Sequence, residues 1–201
     1  MIYIIVFSSL AVNGAAAAQK TILAFGDSLT AGYGISWADS FPAQLEKKLL
    51  AKGHAVKVIN AGVSGDTTSG GLTRLEWTLA QKPDFAIVEL GANDMLRAID
   101  PAVTRRHLEE MLKIFQKNKI PVLLAGMKAM PNLGMAFVNK YEQIYPELAE
   151  KYGALYYPFF LEGVVAEKGL LLEDGLHPSP AGVAVIVDKI FPFVEELLER
   201  K

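Results

Sequence analysis

A serine and a histidine in this sequence have neighbours that suit acyl-transfer chemistry. Ser28 comes soon after a short apolar run, Thr21 to Phe25, and His177 comes three residues after Asp174. A serine hydroxyl is a weak nucleophile until an adjacent base takes its proton, and histidine often serves as that base. A carboxylate on the other ring nitrogen fixes the histidine tautomer and stabilises the imidazolium. The pattern therefore predicts Ser28 as nucleophile, His177 as base and Asp174 as the residue that orients the base.

The other two histidines are poorer candidates for the base. His54 stands in a polar turn before a later apolar run, at the end of the predicted sheet opposite Ser28. His107 lies among charged residues in a segment of helical period, and we expect it to be solvated. Only His177 falls in a loop that can reach Ser28.

Acyl transfer also needs hydrogen-bond donors for the oxyanion. We expect three: the backbone N–H of Ser28, the backbone N–H of Gly65 and the side-chain amide of Asn93. The alternative for Gly65 and for Asn93 is a purely structural role in a turn. Ser28 itself could alternatively be an N-capping serine.

Three aspartates lie near these positions, and we assign them to loop structure. Asp27 is expected to stabilise the turn before Ser28, with a role as catalytic acid as the alternative. Asp66 and Asp94 are expected to hydrogen-bond to loops, and Asp94 could hold the loop that carries Asn93.

A metal site is the rival interpretation of the same polar residues. Asp27, Asp66, Asn93 and Asp94 offer the oxygen ligands that Mg²⁺ prefers, which would favour a metal-assisted phosphoesterase or a flavodoxin-like binding module. Against this, the first strand is followed by no D-x-D motif, and the chain has no glycine-rich phosphate loop. The Asp174–His177 pair would also be left without a role.

Five short apolar runs predict the strands that must position these residues. The runs are nearly continuous rather than alternating, as in parallel strands covered on both faces, and they start about 30 to 35 residues apart, the length of one strand–helix unit. They are Ile22–Phe25, Val56–Asn60, Phe85–Leu90, Pro121–Gly126 and Ala154–Tyr157. We predict an α/β fold with three layers, α/β/α, and a flavodoxin-like five-stranded parallel sheet. Ligands of such sheets bind beyond the carboxyl ends of the strands, where the polar residues above gather.

Segments of helical period fill the gaps between the strands. Four are well defined: Ser40–Lys52, Pro101–Lys117, Asn139–Tyr152 and a C-terminal helix from Ser179 or Pro180 to Glu199. Proline inside a helix removes a hydrogen bond, so Pro192 is expected to kink the last helix or to begin a second segment.

The composition excludes several classes of protein. The chain has 201 residues, 51% hydrophobic and 21% charged, which suits one globular domain. A net charge of −2 and the lack of a basic run argue against nucleic-acid binding. Without cysteine, disulfides, thiolate metal sites and a lipoprotein anchor are excluded. Nothing in the sequence indicates an obligate oligomer, and a monomer is compatible with it.

Residues 1–18 differ from the rest of the chain. The apolar run Ile2–Val12 is followed by Asn13-Gly14 and by the small residues Ala15–Ala18. This is typical of a signal peptide with an A-x-A cleavage site, although no basic residue precedes the run. The run is shorter than the approximately 20 residues that cross a bilayer. We predict cleavage after Ala18, a single domain over 19–201, a periplasmic or secreted location and no stable membrane anchor; the alternative is an apolar tail or an extra core segment.

Four ordered blocks resemble the SGNH hydrolases, also called the GDSL esterase/lipase family. They are Gly26-Asp27-Ser28-Leu29, Gly65, Gly91-Ala92-Asn93-Asp94 and Asp174-Gly175-Leu176-His177-Pro178. The resemblance, which runs from about Lys20 to the C-terminus, implies nucleophile Ser28, base His177, orienting Asp174 and oxyanion donors Ser28, Gly65 and Asn93. It implies a serine hydrolase that cleaves carboxylic esters or thioesters without metal or cofactor. The leader, the size and Tyr141–Glu150 are most similar to the periplasmic acyl-CoA thioesterase, lysophospholipase and arylesterase branch.

Several apolar residues near the predicted site could line an acyl pocket. The segment 126–135 contains three of the six methionines, whose thioethers adapt to irregular apolar surfaces. Core packing is the alternative for this segment. The candidate pocket residues are Tyr33, Ile35, Met95, Leu96, Met130 and Pro131.

Overall fold

The five predicted strands pair into one parallel sheet. The computed structural model describes residues 19–200, in which the strand order is β2-β1-β3-β4-β5. The strands are β1 (Lys20–Gly26), β2 (Val56–Gly62), β3 (Phe85–Glu89), β4 (Val122–Ala125) and β5 (Leu155–Tyr157). Each observed boundary lies within two residues of the predicted one. The α/β prediction is therefore confirmed at the level of the sheet.

Helices cover both faces of the sheet and complete the three layers. The longer helices are α2 (Phe41–Ala51), α3 (Thr68–Leu79), α5 (Pro101–Lys117), α6 (Met135–Glu142), α7 (Ile144–Tyr152) and α8 (Pro180–Glu199). Helices α2 and α8 pack together on one face, and α3, α5, α6 and α7 pack on the other. Two single-turn helices, α1 (Ser28–Ala31) and α4 (Ala92–Leu96), follow β1 and β3. Short 3₁₀ turns span Trp37–Asp39 and Pro131–Leu133.

The apolar runs form central strands because both of their faces are covered. All five residues of β3 are buried, and so are the last five of β1. In the register of the sheet, Gly26 lies level with Gly62 of β2 and with Glu89 of β3. The carboxyl ends of the three strands therefore meet at one edge, and the loops that carry Ser28, Gly65 and Asn93 start from it.

Two helical regions differ from the prediction. Asn139–Tyr152 is not one helix, because α6 already starts at Met135 and a break at Gln143 separates it from α7. Pro192 begins no second segment, since α8 is helical from Pro180 to Glu199. Pro192 and Asp188, whose carbonyl loses its helical partner, both lie on the exposed side of α8. Water can therefore bind that carbonyl, which lowers the cost of the proline.

None of the helices within residues 19–200 is both long enough and apolar enough to cross a bilayer.

Candidate active site

The Gly26-Asp27-Ser28 stretch ends β1 in a capped single-turn helix. The Asp27 carboxylate accepts a hydrogen bond from the Leu29 N–H at 3.0 Å, as an N-cap does. The turn ends at Gly32, whose positive φ of 86° suits glycine. Asp27 thus has the turn-stabilising contact that the sequence predicted.

Glycines at the ends of β1 and β2 let this turn pack closely against the sheet. A Cβ at Gly62 would lie 2.8 Å from the Asp27 carbonyl oxygen, closer than real Cβ contacts. A Cβ at Gly26 would lie 2.6 Å from the Glu89 carbonyl oxygen. Both positions therefore need glycine for the serine turn to sit where it does.

Ser28, His177 and Asp174 form a continuous hydrogen-bonded chain. His177 Nε2 lies 2.9 Å from Ser28 Oγ, and His177 Nδ1 lies 2.6 Å from Asp174 Oδ2. Because an ionised carboxylate only accepts hydrogen bonds, Nδ1 carries the proton and Nε2 is left free to accept the serine proton. This is the geometry that general-base activation of a serine requires.

Backbone amides hold the Asp174 carboxylate in its ionised form. Asp174 Oδ1 accepts from the His177 N–H at 3.0 Å and from the Leu176 N–H at 2.9 Å. These bonds, followed by the bond from the imidazole, lower the pKa of Asp174 to about 2. The carboxylate is therefore charged across the neutral pH range, although 37% of its side-chain surface is exposed.

A short looped hairpin brings His177 to Ser28. Leu171 pairs with Pro178 in an antiparallel bridge, and the Leu172 N–H donates to the His177 carbonyl at 2.7 Å. The Ser179 hydroxyl donates to the Gly169 carbonyl at the base of this loop. The imidazole is thus carried by a closed loop rather than by a free segment.

The three predicted oxyanion donors are available at this edge of the sheet. The N–H groups of Ser28 and Gly65 have no hydrogen-bond partner among residues 19–200. Asn93 Nδ2 donates one hydrogen to Asp27 Oδ2 at 3.1 Å, and its second hydrogen is free to bond elsewhere. Gly65 has a positive φ of 84°, and the Arg97 guanidinium donates to its carbonyl at 2.9 Å.

The other acids at this edge are bonded to protein groups. The Arg74 Nε donates to Asp66 at 2.7 Å. Asp94 accepts from the N–H and hydroxyl of Thr68, and from the hydroxyl of Thr104. Within the part of the chain that the structure describes, no three acidic or histidine side chains form a group that could hold a metal. Asp94 thus ties the start of α4, where Asn93 lies, to α3 and α5.

A second buried carboxyl, Glu89, escaped the sequence analysis. It is fully buried at the end of β3 and accepts from the Thr30 hydroxyl at 2.8 Å and from the Asp27 N–H at 3.4 Å. Burial, followed by the nearby Asp27 charge, raises the pKa of Glu89 well above its usual value. An acid at the end of the apolar run Phe85–Leu90 was the available signal.

The remaining histidines lie outside this site. His54 contacts Glu195 at 3.2 Å near the start of β2. His107 is only partly exposed, and its Nδ1 lies 3.2 Å from the Thr68 hydroxyl, so the expectation that it is solvated was wrong. The helix face toward α3 is polar at this point, which helical periodicity alone did not reveal.

An apolar cavity of about 370 Å³ opens beside Ser28, on the side of β3, β4 and β5. Met95, Leu96, Met130 and Pro131 line it, as the sequence suggested. Tyr33 and Ile35 do not belong to its lining. The Tyr33 ring instead packs on the His177 ring, with 4.4 Å between centroids. Apolar residues from other loops complete the wall: Leu29, Ala92, Met127, Ala129, Phe159, Leu161, Val165, Leu171 and Leu176.

Comparisons with known proteins place this arrangement in a family context. The model of the GDSL-like lipase/acylhydrolase family matches residues 24–185. The chain is 40% identical over 169 residues to the arylesterase of Vibrio mimicus, covering 84% of each protein. It is 37% identical over 174 residues to the thioesterase 1/protease 1/lysophospholipase L1 of Escherichia coli K12, covering 86% of this chain and 82% of that protein. The crystal structure of AlinE4, an SGNH-hydrolase family esterase, matches with a TM-score of 0.76 and 47% identity, covering 90% of this chain and 98% of that one.

Proposed function

This chain belongs to the GDSL-like lipase/acylhydrolase family, and we propose that it cleaves carboxylic esters and thioesters through an acyl-enzyme on Ser28. The observation that carries the proposal is the chain of hydrogen bonds from Ser28 Oγ through His177 to Asp174, at 2.9 and 2.6 Å, beside an apolar cavity. Such a chain supplies a nucleophile, a base and an orienting acid in one place.

The reaction follows from the proton positions. Ser28 Oγ attacks the acyl carbonyl carbon while its proton passes to His177 Nε2. The N–H groups of Ser28 and Gly65 and the Asn93 amide stabilise the oxyanion. His177 then protonates the leaving oxygen or sulfur, and the carbonyl re-forms as the ester of Ser28. Water then attacks this ester while His177 Nε2 takes its proton. The bond from the acyl carbon to Ser28 Oγ breaks, His177 returns the proton to Oγ, and the carboxylic acid leaves.

The cavity supports acyl groups with an apolar chain as substrates. Its wall carries the aliphatic, methionine and phenylalanine side chains named above. Among the lining residues that the structure describes, Lys128 alone has a permanently charged side chain. In this proposal the acyl chain of the substrate enters the cavity, and the leaving group lies outside it. Aryl esters, acyl thioesters and lysophospholipids therefore share one binding mode, and the names of the two relatives span all three.

We also propose that residues 1–18, which lie outside the described residues, are a signal peptide. Cleavage after Ala18 would leave the domain 19–201 in the periplasm or outside the cell. N-terminal sequencing of the protein from an expressing cell's periplasmic fraction tests this. A chain that still begins at Met1 and stays in the cytoplasm would contradict it.

The activity is tested with p-nitrophenyl esters from acetate to palmitate and with matched acyl thioesters, all with EDTA present. We expect the wild type to hydrolyse both classes, and Ser28→Ala to lose at least about 10³-fold in kcat. An activity that EDTA removes, or one that survives in Ser28→Ala, would overturn the proposal and favour the metal-assisted rival.

A further inference from the structure

One carboxylate links the nucleophile turn to the oxyanion donor on the neighbouring strand. Asp27 Oδ1 accepts the Leu29 N–H at 3.0 Å, within the turn that carries Ser28. Asp27 Oδ2 accepts the Asn93 Nδ2–H at 3.1 Å, from the loop after β3. Strands β1 and β3 are adjacent in the sheet, so this contact spans the two loops directly.

We propose that Asp27 is a positioning residue that orients the Asn93 amide, so that its second N–H faces the oxyanion formed at Ser28. This inference rests on the proposed function. It adds to that function a residue that fixes one of the three oxyanion donors.

An asparagine in an oxyanion hole needs such a partner because its two ends are nearly the same shape. In the flipped orientation the amide oxygen would face the oxyanion and repel it. An ionised carboxylate accepts hydrogen bonds but cannot donate them, so it selects the N–H end of the amide. Within residues 19–200 the Asn93 side chain makes no other hydrogen bond. Asp27 is therefore the group in the described chain that sets this orientation.

The turn alone does not explain a carboxylate at position 27. Asparagine or serine caps a helix N-terminus about as well as aspartate does, and neither carries a charge. Asp27 is fully buried, and this burial raises its pKa to about 6, against the lowering effect of the Leu29 and Asn93 bonds. Burying a carboxylate is costly, and the second oxygen of this one accepts the hydrogen bond from Asn93.

The charged and titratable groups around Asp27 determine whether its carboxyl is ionised and can accept the Asn93 N–H. Burial, followed by the nearby Asp27 charge, raises the pKa of Glu89 well above its usual value, which favours a neutral Glu89 beside an ionised Asp27. His177 favours the ionised form of Asp27, and Asp66, whose carboxylate bonds to Arg74, opposes it slightly. At pH values above about 6, Asp27 is therefore ionised and can accept the Asn93 N–H.

The test is a double-mutant cycle on kcat and KM with p-nitrophenyl butyrate at pH 8. Asp27→Asn keeps an oxygen for the Leu29 N–H but no longer selects the N–H end of Asn93. We expect kcat to fall by about tenfold or more with KM changed less than twofold, and Asn93→Ala to lower kcat by about 10²-fold. If Asp27 acts through Asn93, the double variant is no slower than Asn93→Ala.

A matched control changes the other buried carboxyl of the same cluster. Glu89 accepts from Thr30 and from the Asp27 N–H, and it has no hydrogen bond with Ser28 or Asn93. We expect Glu89→Gln, which keeps the shape of the side chain and an acceptor oxygen, to keep kcat within about twofold. Asp27→Ser is measured in parallel, since serine also caps the turn but removes the second acceptor, and it replaces Asp27→Asn in the cycle if that variant does not fold.

Each outcome of the cycle decides between separate claims. If Asp27→Asn lowers kcat in the Asn93→Ala background by the same factor as in the wild type, the two residues act independently. The effect of Asp27 would then lie in the serine turn, and the inference would be overturned. Unchanged kcat in Asp27→Asn and Asp27→Ser would overturn it too. Full activity in Asn93→Ala would instead remove Asn93 from the proposed oxyanion hole, and the inference with it.

Discussion

Hydrogen bonds keep Asp174 ionised, although its side chain is not buried in the protein. Triad acids that lie deep in a protein stabilise an imidazolium in a low-dielectric setting. Asp174 is partly exposed, so water shares that role, and the two backbone N–H groups hold the carboxylate in place. Its main effect is to fix the Nδ1–H tautomer of His177.

We predict that Asp174→Asn lowers kcat/KM by at least about 10²-fold, because the amide can bind the wrong imidazole tautomer. The loss should stay below the approximately 10⁴-fold seen for a buried triad aspartate, since water can reach this position. The measurement is ester hydrolysis at pH 8, with Glu173→Gln, the adjacent exposed acid, as control. A loss of less than threefold in Asp174→Asn would contradict the assigned role.

Contacts at the candidate site could be predicted from the sequence where the two residues lie close together in the chain. Asp174 and His177 are three residues apart, and their contact could be predicted from that spacing. The packing of Tyr33 on His177 could not, because it joins two loops that are distant in the chain. Glu89 was hidden for another reason: an acid at the end of a buried strand has no local pattern to mark its partners.

At the scale of elements, the loops after β3, β4 and β5 build the wall of the acyl cavity. Ala129 lies in the loop after β4, is largely buried and lines the cavity. Met135, at the start of α6, is 77% exposed and does not belong to the lining. The two positions lie close in the chain but only one faces the cavity.

We predict that Ala129→Phe shortens the preferred acyl chain, because the ring would fill part of the approximately 370 Å³ cavity in which we propose that the acyl chain binds. The ratio of kcat/KM for decanoate to that for butyrate should fall by about tenfold or more, as expected when several buried methylenes lose their contacts. Met135→Phe serves as control and should leave the ratio unchanged. A shift in the control alone would place the acyl chain elsewhere.

The bounds of the strands could be predicted closely, because a short continuous apolar run between turn residues is typical of a buried strand. Helix α3 received no prediction of its own. It starts with Thr68, Ser69, Gly70 and Gly71, which weaken the helical period, and the Thr67 side chain caps it by accepting from the Gly70 N–H. The break between α6 and α7 had a signal that the sequence analysis did not use. Pro146 cannot donate a hydrogen bond to the Glu142 carbonyl four residues earlier, but it fits the first turn of a new helix, and α6 ends at Glu142.

At the scale of the whole molecule, the buried carboxyls link stability to pH. Burial raises the pKa of Asp27 from 3.8 to about 6, so folding favours its neutral form. The stability from this group is complete below about pH 4 and is lost as the pH rises through 6. At pH 8 the ionised Asp27 costs about 3 kcal/mol, at 1.36 kcal/mol per pKa unit.

Asp27→Asn should therefore raise the free energy of unfolding at pH 8, by up to about 3 kcal/mol, and give little gain at pH 4. Urea unfolding at the two pH values measures this. Asp94→Asn is the matched control with the opposite sign, because Asp94 accepts from Thr68 and Thr104, and an amide cannot accept all three bonds. Equal gains for Asp27→Asn at both pH values would contradict the linkage.

The central claim is that Ser28 forms a covalent bond to the acyl group, and a p-nitrophenyl alkylphosphonate tests it most directly. Attack by Ser28 Oγ on phosphorus expels p-nitrophenolate and leaves a stable serine phosphonate, which mass spectrometry of the proteolysed protein can locate. We predict one adduct per chain on the peptide that contains Ser28, formed in EDTA and absent from Ser28→Ala. Adducts on another residue, or no adduct while ester hydrolysis continues, would contradict the account.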